Sequence, residues 1–128
     1  MTKKFLHTCV RVKDLEASLD FYTNTLGFKV AETLDYPEFE FTLVYLELGE
    51  GGYQLELTYN YHQEEAYDLG NGYGHIAIGV DDLEVFREEL IQKGYKDQVG
   101  DLKELSDGAA RYFFITDPDG YKVEVIQN

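Results

Sequence analysis

The chain has 128 residues, 25 acidic and 11 basic, for a formal net charge of −14. That length holds one domain, or two small modules sharing a core, and buries about two-thirds of its extended surface on folding. Hydrophobic residues make up 44%, with 11 Tyr and 8 Phe, which excludes a disordered chain, while the acidic balance argues against nucleic acid and anionic membranes as partners.

No apolar run approaches the ~18 residues that would span a bilayer. The opening Met1-Thr2-Lys3-Lys4-Phe5 is not followed by a secretory apolar core. One cysteine excludes an internal disulfide framework and a cysteine-based zinc cluster. The expectation is a soluble, cytoplasmic, small-domain protein.

In chain order, Phe5–Val12 alternates at period 2 and reads as a strand. Asp14 is placed to N-cap a helix whose apolar stripe is Leu15, Leu19, Tyr22 and Leu26, with Gly27 as its left-handed terminator. Strand-like runs follow at Phe28–Leu34, Phe39–Leu48 and Tyr53–Tyr59. After a polar stretch the order repeats. Tyr73–Val80 is a strand, Asp82 caps a helix with Leu83, Phe86, Leu90 and Ile91 on one side, and Gly94 ends it. A weaker strand is expected at Tyr95–Leu102, then strands at Ala110–Thr116 and Tyr121–Gln127, the last two joined by the turn Asp117-Pro118-Asp119-Gly120.

The repetition is in register. With an offset of 68, His7 falls on His75, Val12 on Val80, and Asp14-Leu15-Glu16 on Asp82-Leu83-Glu84. The same offset carries Gly52-Tyr53-Gln54-Leu55-Glu56-Leu57 onto Gly120-Tyr121-Lys122-Val123-Glu124-Val125. Two βαβββ modules result, about 1–61 and 72–128, within a single domain 1–128. Neither half comfortably buries its sheet alone, so the modules are expected to pair, within one chain or between two.

Strand phase then separates the polar residues. Leu6, Val10 and Val12 point toward the helix, and His7, Cys9 and Arg11 away from it. Ile76, Ile78 and Val80 leave His75 on the other face; Leu55 and Leu57 leave Gln54, Glu56 and Thr58 there; Val123 and Val125 leave Lys122 and Glu124. Two histidines and two glutamates thus share a helix-free face, each glutamate 49 residues after its histidine. Singly, each reads as a hydrogen-bonded or solvated strand residue. Together, on a face that pairing would enclose, they would be costly without a partner. A divalent cation resolves that cost.

Two nitrogens and two oxygens suit a borderline six-coordinate ion, with nickel, cobalt, manganese and zinc all admissible. His62 has no counterpart in the repeat and reads as a loop residue, and Cys9 as a small packing residue rather than a nucleophile.

These residues lie in strings that resemble glyoxalase I (lactoylglutathione lyase) of the vicinal oxygen chelate superfamily. The strings are Leu6-His-Thr-Cys-Val-Arg-Val12, Asp20-Phe-Tyr-Thr-Asn-Thr-Leu-Gly-Phe28, Leu55-Glu-Leu-Thr-Tyr-Asn60, Tyr73-Gly-His-Ile-Ala-Ile78 and Asp117-Pro-Asp-Gly-Tyr-Lys-Val-Glu124. The resemblance implies an α+β fold: tandem βαβββ modules pairing into an open, cup-like mixed sheet with the helices outside. It implies metal ligation by His7, Glu56, His75 and Glu124, in a homodimer whose sites take the first pair from one chain and the second pair from the other. The compact length resembles the nickel- or cobalt-preferring branch.

The implied reaction converts the hemithioacetal of methylglyoxal and glutathione to S-D-lactoylglutathione, which detoxifies methylglyoxal. Glu124 maps onto the usual base and Glu56 onto its partner. Arg11 and Asn60 match positions that contact glutathione in that family. The stretch Lys103–Arg111 departs from its Lys-Gly-rich loop, being acidic except at its ends, which leaves another thiol such as bacillithiol open; Lys122 or Arg111 are the candidates for compensating charge. The competing readings are a dioxygenase or thiol transferase on the same fold, which use two His and one Glu, and a metal-free ligand-binding or drug-resistance protein.

Overall fold

In a computed structural model, which describes every residue except Asp107 and Ala109, the chain divides into two compact units, Met1–Asp68 and Leu69–Asn128. The first unit runs β1 (His7–Val12), α1 (Leu15–Leu19), β2 (Lys29–Tyr36), β3 (Phe41–Glu47) and β4 (Gln54–Asn60), with sheet order β1-β4-β3-β2. The second runs β5 (Ile76–Val80), α2 (Leu83–Leu90), β6 (Lys103–Glu104), β7 (Arg111–Thr116) and β8 (Lys122–Gln127), with sheet order β5-β8-β7-β6. Each sheet is mixed. β1 pairs parallel with β4, and β5 with β8, while every other pairing is antiparallel. The parallel pair in each unit is what a helical crossover produces when the last strand returns beside the first.

Local chemistry starts both helices where expected. Asp14 Oδ1 accepts from the Ala17 amide and Asp82 Oδ1 from the Val85 amide, each at 3.1 Å. Each helix then widens into a π-helical turn, Asp20–Thr25 and Ile91–Tyr95. Gly27 terminates the first at φ 87°, a region closed to most side chains, and this lets the Phe28 amide reach back to the Tyr22 carbonyl at 2.8 Å. Gly94 has a similar positive φ of 100°, but lies inside the second π-helical turn, one residue before its end.

The core of the first unit gathers Val10, Val12, Phe21, Tyr22, Leu26, Val44, Leu46, Leu55 and Leu57, all buried. That of the second gathers Leu83, Leu90, Phe113, Ile115, Val123 and Val125. The helix-facing phase of β1, β4, β5 and β8 therefore agrees with the alternation. Leu6 departs from it. It precedes β1 and is 59% exposed, giving only its carbonyl to the Gln54 amide at 3.1 Å.

The weak strand at Tyr95–Leu102 does not form. Tyr95 closes the π-helical turn, and its carbonyl takes the amides of both Gln98 and Val99 at 3.0 Å, which keeps the chain curled. The segment touches β7 through one bridge, Val99 to Ile115, and regular pairing begins only at Lys103. The Asp117–Gly120 turn closes as expected: the Gly120 amide donates to the Asp117 carbonyl at 3.1 Å, and Asp117 Oδ1 accepts from the Asp119 and Tyr121 amides. No helix of the described residues is long and apolar enough to cross a membrane.

Candidate metal centre

The parallel strand pairs place each histidine and its glutamate in the same relation. Cys9 lies opposite Glu56, and His7 is two residues before Cys9 on the same face. Ala77 lies opposite Glu124, and His75 is two residues before Ala77. In both units the imidazole and carboxylate are diagonal neighbours, a spacing that side chains of this length close readily.

In the second unit that diagonal is closed. His75 Nε2 lies 3.3 Å from Glu124 Oε1, with side-chain exposures of 43% and 17%. His75 also lines a groove of about 470 Å³, together with Asp101, Lys103, Phe114 and Lys122. Lys103 Nζ lies 5.9 Å from the Phe114 ring centre, and Lys122 Nζ donates to Thr116 Oγ1 at 2.8 Å. Arg111, the other candidate for compensating charge, is ion-paired with Glu84. Asp107 and Ala109 of the acidic stretch lie outside the described residues.

The first unit is organised around Glu56, which is buried at 8% exposure. Tyr45, its antiparallel neighbour on β3, donates its hydroxyl to Glu56 Oε1 at 2.8 Å. That bond, followed by burial, pushes the Tyr45 pKa up to about 12, because ionising the phenol would set two negative charges in contact. Thr58 Oγ1 approaches Glu56 Oε2 at a long 3.4 Å. His7 is exposed and meets the Tyr45 ring edge-on, with centroids 5.3 Å apart and 68° between planes.

Cys9 differs from the expectation of a packing residue. It is exposed, with Sγ 3.1 Å from Thr58 Oγ1. Partial desolvation of the thiol and the neighbouring Glu56 carboxylate outweigh the Thr58 bond and raise its pKa, which favours the unreactive thiol over the thiolate. His62 is a loop residue as expected, at φ 62° and 79% exposed. Arg11 stands opposite Thr58, two residues before the position opposite Asn60, so these two repeat the His7–Glu56 diagonal four residues further along the strands. Asn60 Nδ2 donates to the Tyr67 hydroxyl at 3.1 Å.

Among the described residues no three His, Cys, Asp or Glu side chains gather as a metal-holding group, so each unit by itself supplies one imidazole–carboxylate pair. The donor chemistry fits a divalent ion. Each pair joins a nitrogen donor to an oxygen donor, and Glu56 Oε2, approached by Thr58 Oγ1 only at a long 3.4 Å, retains lone-pair capacity beyond the oxygen that Tyr45 engages.

Tyr45 and Phe114 were not legible as part of this face. Their strands, Phe41–Glu47 and Arg111–Thr116, carry apolar side chains on both faces, so alternation does not reveal which way the rings point.

Comparison with known proteins identifies the family. Residues 4–125 match the Glyoxalase/Bleomycin resistance protein/Dioxygenase superfamily. The lactoylglutathione lyase of Neisseria meningitidis serogroup A is 45% identical over 126 residues, covering 97% of this chain and 90% of that protein. Glyoxalase I from Zea mays superposes with a TM-score of 0.89 at 35% identity, covering 99% of this chain but 45% of the maize chain. Glyoxalase I from Leishmania major, described as trypanothione-dependent, gives a TM-score of 0.80 at 39% identity, covering 98% of this chain and 87% of that one. On these grounds the chain belongs to the glyoxalase superfamily and, within it, to the lactoylglutathione lyase (glyoxalase I) family.

Proposed function

We propose that this chain isomerises the hemithioacetal of methylglyoxal and glutathione to S-D-lactoylglutathione in the cytoplasm, with His7, Glu56, His75 and Glu124 as the ligands of one divalent ion. Lactoylglutathione lyase activity is what the family membership carries, and the family is in general metal-dependent. The observation that supports the site reading is the repeated diagonal of histidine and glutamate, closed to 3.3 Å at His75 and Glu124.

A divalent ion held by these four residues would supply Lewis-acid polarisation of the substrate. Nickel or cobalt is the preferred ion, with zinc or manganese as substitutes. The remaining chemistry falls to the chain. Glu124, a partly exposed carboxylate in contact with His75, takes the proton from the hemithioacetal carbon and returns it to the neighbouring carbon. Glu56, buried against Tyr45, is its fixed counterpart. Arg11 and Asn60 hold the thiol's carboxylate and backbone. The chain acts as a homodimer in which His7 and Glu56 of one chain complete the site with His75 and Glu124 of the other, the arrangement that the sequence resemblance implies.

The test is thioester formation, followed at 240 nm, by chelator-stripped protein reloaded separately with nickel, cobalt, manganese or zinc. Activity restored by nickel or cobalt with glutathione supports the proposal. Stoichiometric metal binding without glutathione turnover redirects the search to other thiols, trypanothione and bacillithiol first. Protein that binds none of the four ions overturns the metal reading.

A further inference from the structure

The two glutamates occupy equivalent places in the repeat, yet the residues facing them differ. Glu56 lies opposite Tyr45 on β3, and Glu124 lies opposite Phe114 on β7. Both rings stand edge-on to the histidine of their unit, at 5.3 Å and 68° for His7–Tyr45 and at 5.4 Å and 68° for His75–Phe114. The ring positions are therefore the same, and what distinguishes them is one hydroxyl group. It is engaged: Tyr45 donates to Glu56 Oε1 at 2.8 Å. The acceptor is a buried carboxylate, where a charge-assisted bond is strong and holds its geometry.

Resting on the metal reading above, we propose that Tyr45 is a positioning residue that makes the two glutamates unequal. Its hydroxyl ties down Oε1 of Glu56, fixes the orientation in which that carboxylate would serve as a ligand, and keeps Glu56 from serving as the proton carrier. Phe114 offers Glu124 no such bond, so that carboxylate, which pairs with the movable His75 side chain at 3.3 Å, can swing between ligand and base. One oxygen atom, on one of two repeated rings, decides which carboxylate does which task. Tyr45 itself touches neither substrate nor ion in this account and acts only through Glu56.

The test uses the full-length protein loaded with cobalt(II), comparing wild type with Tyr45→Phe, Phe114→Tyr, Glu124→Gln and the double variant Tyr45→Phe/Glu124→Gln. Tyr45→Phe removes no carbon from the packed ring, so folding is preserved. Cobalt affinity, measured by competition with a chromophoric chelator, is expected to fall about tenfold, the lower range for losing a group that orients a ligand. The visible absorption band of the bound cobalt should shift with it. The double variant is expected to turn over about tenfold faster than Glu124→Gln, because Glu56 becomes available as a base. Phe114→Tyr should lower kcat and leave KM near the wild-type value. An unchanged cobalt spectrum and affinity in Tyr45→Phe, or no gain by the double variant, overturns the inference. These outcomes are separable from failure of the underlying reading. Wild-type protein that binds no cobalt refutes the metal site and this proposal together. Wild type that binds and turns over beside an indifferent Tyr45→Phe refutes this proposal alone.

Discussion

His75 Nε2 stands 3.3 Å from Glu124 Oε1, across a parallel strand pair in which Ala77 rather than His75 lies opposite the glutamate. The diagonal offset leaves both side chains room to turn toward a common third atom while keeping them in contact. Removing the carboxylate's charge should therefore affect chemistry far more than folding. Glu124→Gln is expected to lower turnover about 10²- to 10⁴-fold, the usual contribution of a general base, with a thermal midpoint within a few degrees of wild type. Thioester formation and a melting curve on the same preparation check it.

The histidines should behave as a pair related by the repeat. His7→Ala and His75→Ala are each expected to weaken metal binding by more than about tenfold, since each deletes a donor rather than a supporting group. Neither side chain is buried, so neither substitution leaves a core cavity. Calorimetric titration with nickel, alongside a urea unfolding curve of the metal-free protein, separates the two effects. Equal affinity in either variant would remove that histidine from the ligand set.

An acid-side prediction concerns Asp35 on β2. The Tyr61 hydroxyl donates to it, and Thr42 Oγ1 adds a second bond at 2.8 Å, so its pKa lies below the usual aspartate value. A lowered folded-state pKa means that the stabilisation is complete above the unfolded value and is lost as pH falls through the folded one. A carboxyl-carbon NMR titration should place the Asp35 midpoint low, and Tyr61→Phe should raise it, Tyr61 being the larger cause. From the other side, the same bond raises the Tyr61 pKa, so its contribution also fades at strongly alkaline pH.

Folding should be most sensitive beneath the candidate site. Leu57 is fully buried on β4, next to Glu56. Leu57→Ala is expected to cost about 2–5 kcal/mol, the range for a leucine whose cavity only partly collapses. Asp14→Ala and Asp82→Ala each remove an N-cap and should cost about 1 kcal/mol apiece. Chemical denaturation of the three variants gives the ranking, and cap losses that exceed the core loss would contradict it.

Much of this molecule was written in short-range signals. The N-cap aspartates, Gly27 and Gly94, the Asp117–Gly120 turn, and the alternation of β1, β4, β5 and β8 all act within a few residues. They are enough to define two βαβββ modules and to put His7, Glu56, His75 and Glu124 on helix-free faces. The Tyr95–Leu102 stretch is where such signals misled. Its apolar residues suit a strand, but the Tyr95 carbonyl captures the amides of Gln98 and Val99 and holds the backbone in a turn.

What only the tertiary structure decided is the cross-strand register, and the reason is a single residue of turn length. An offset of 68 carries Tyr45 onto Phe113, a fully buried core side chain. The ring that faces Glu124 is Phe114 instead, because Tyr45 precedes Glu56 by 11 residues while Phe114 precedes Glu124 by 10. A shift of one residue in a strand moves a side chain to the opposite face. Backbone pairing, not local pattern, therefore placed one hydroxyl on one of the two glutamates, and composition and periodicity carry no record of it.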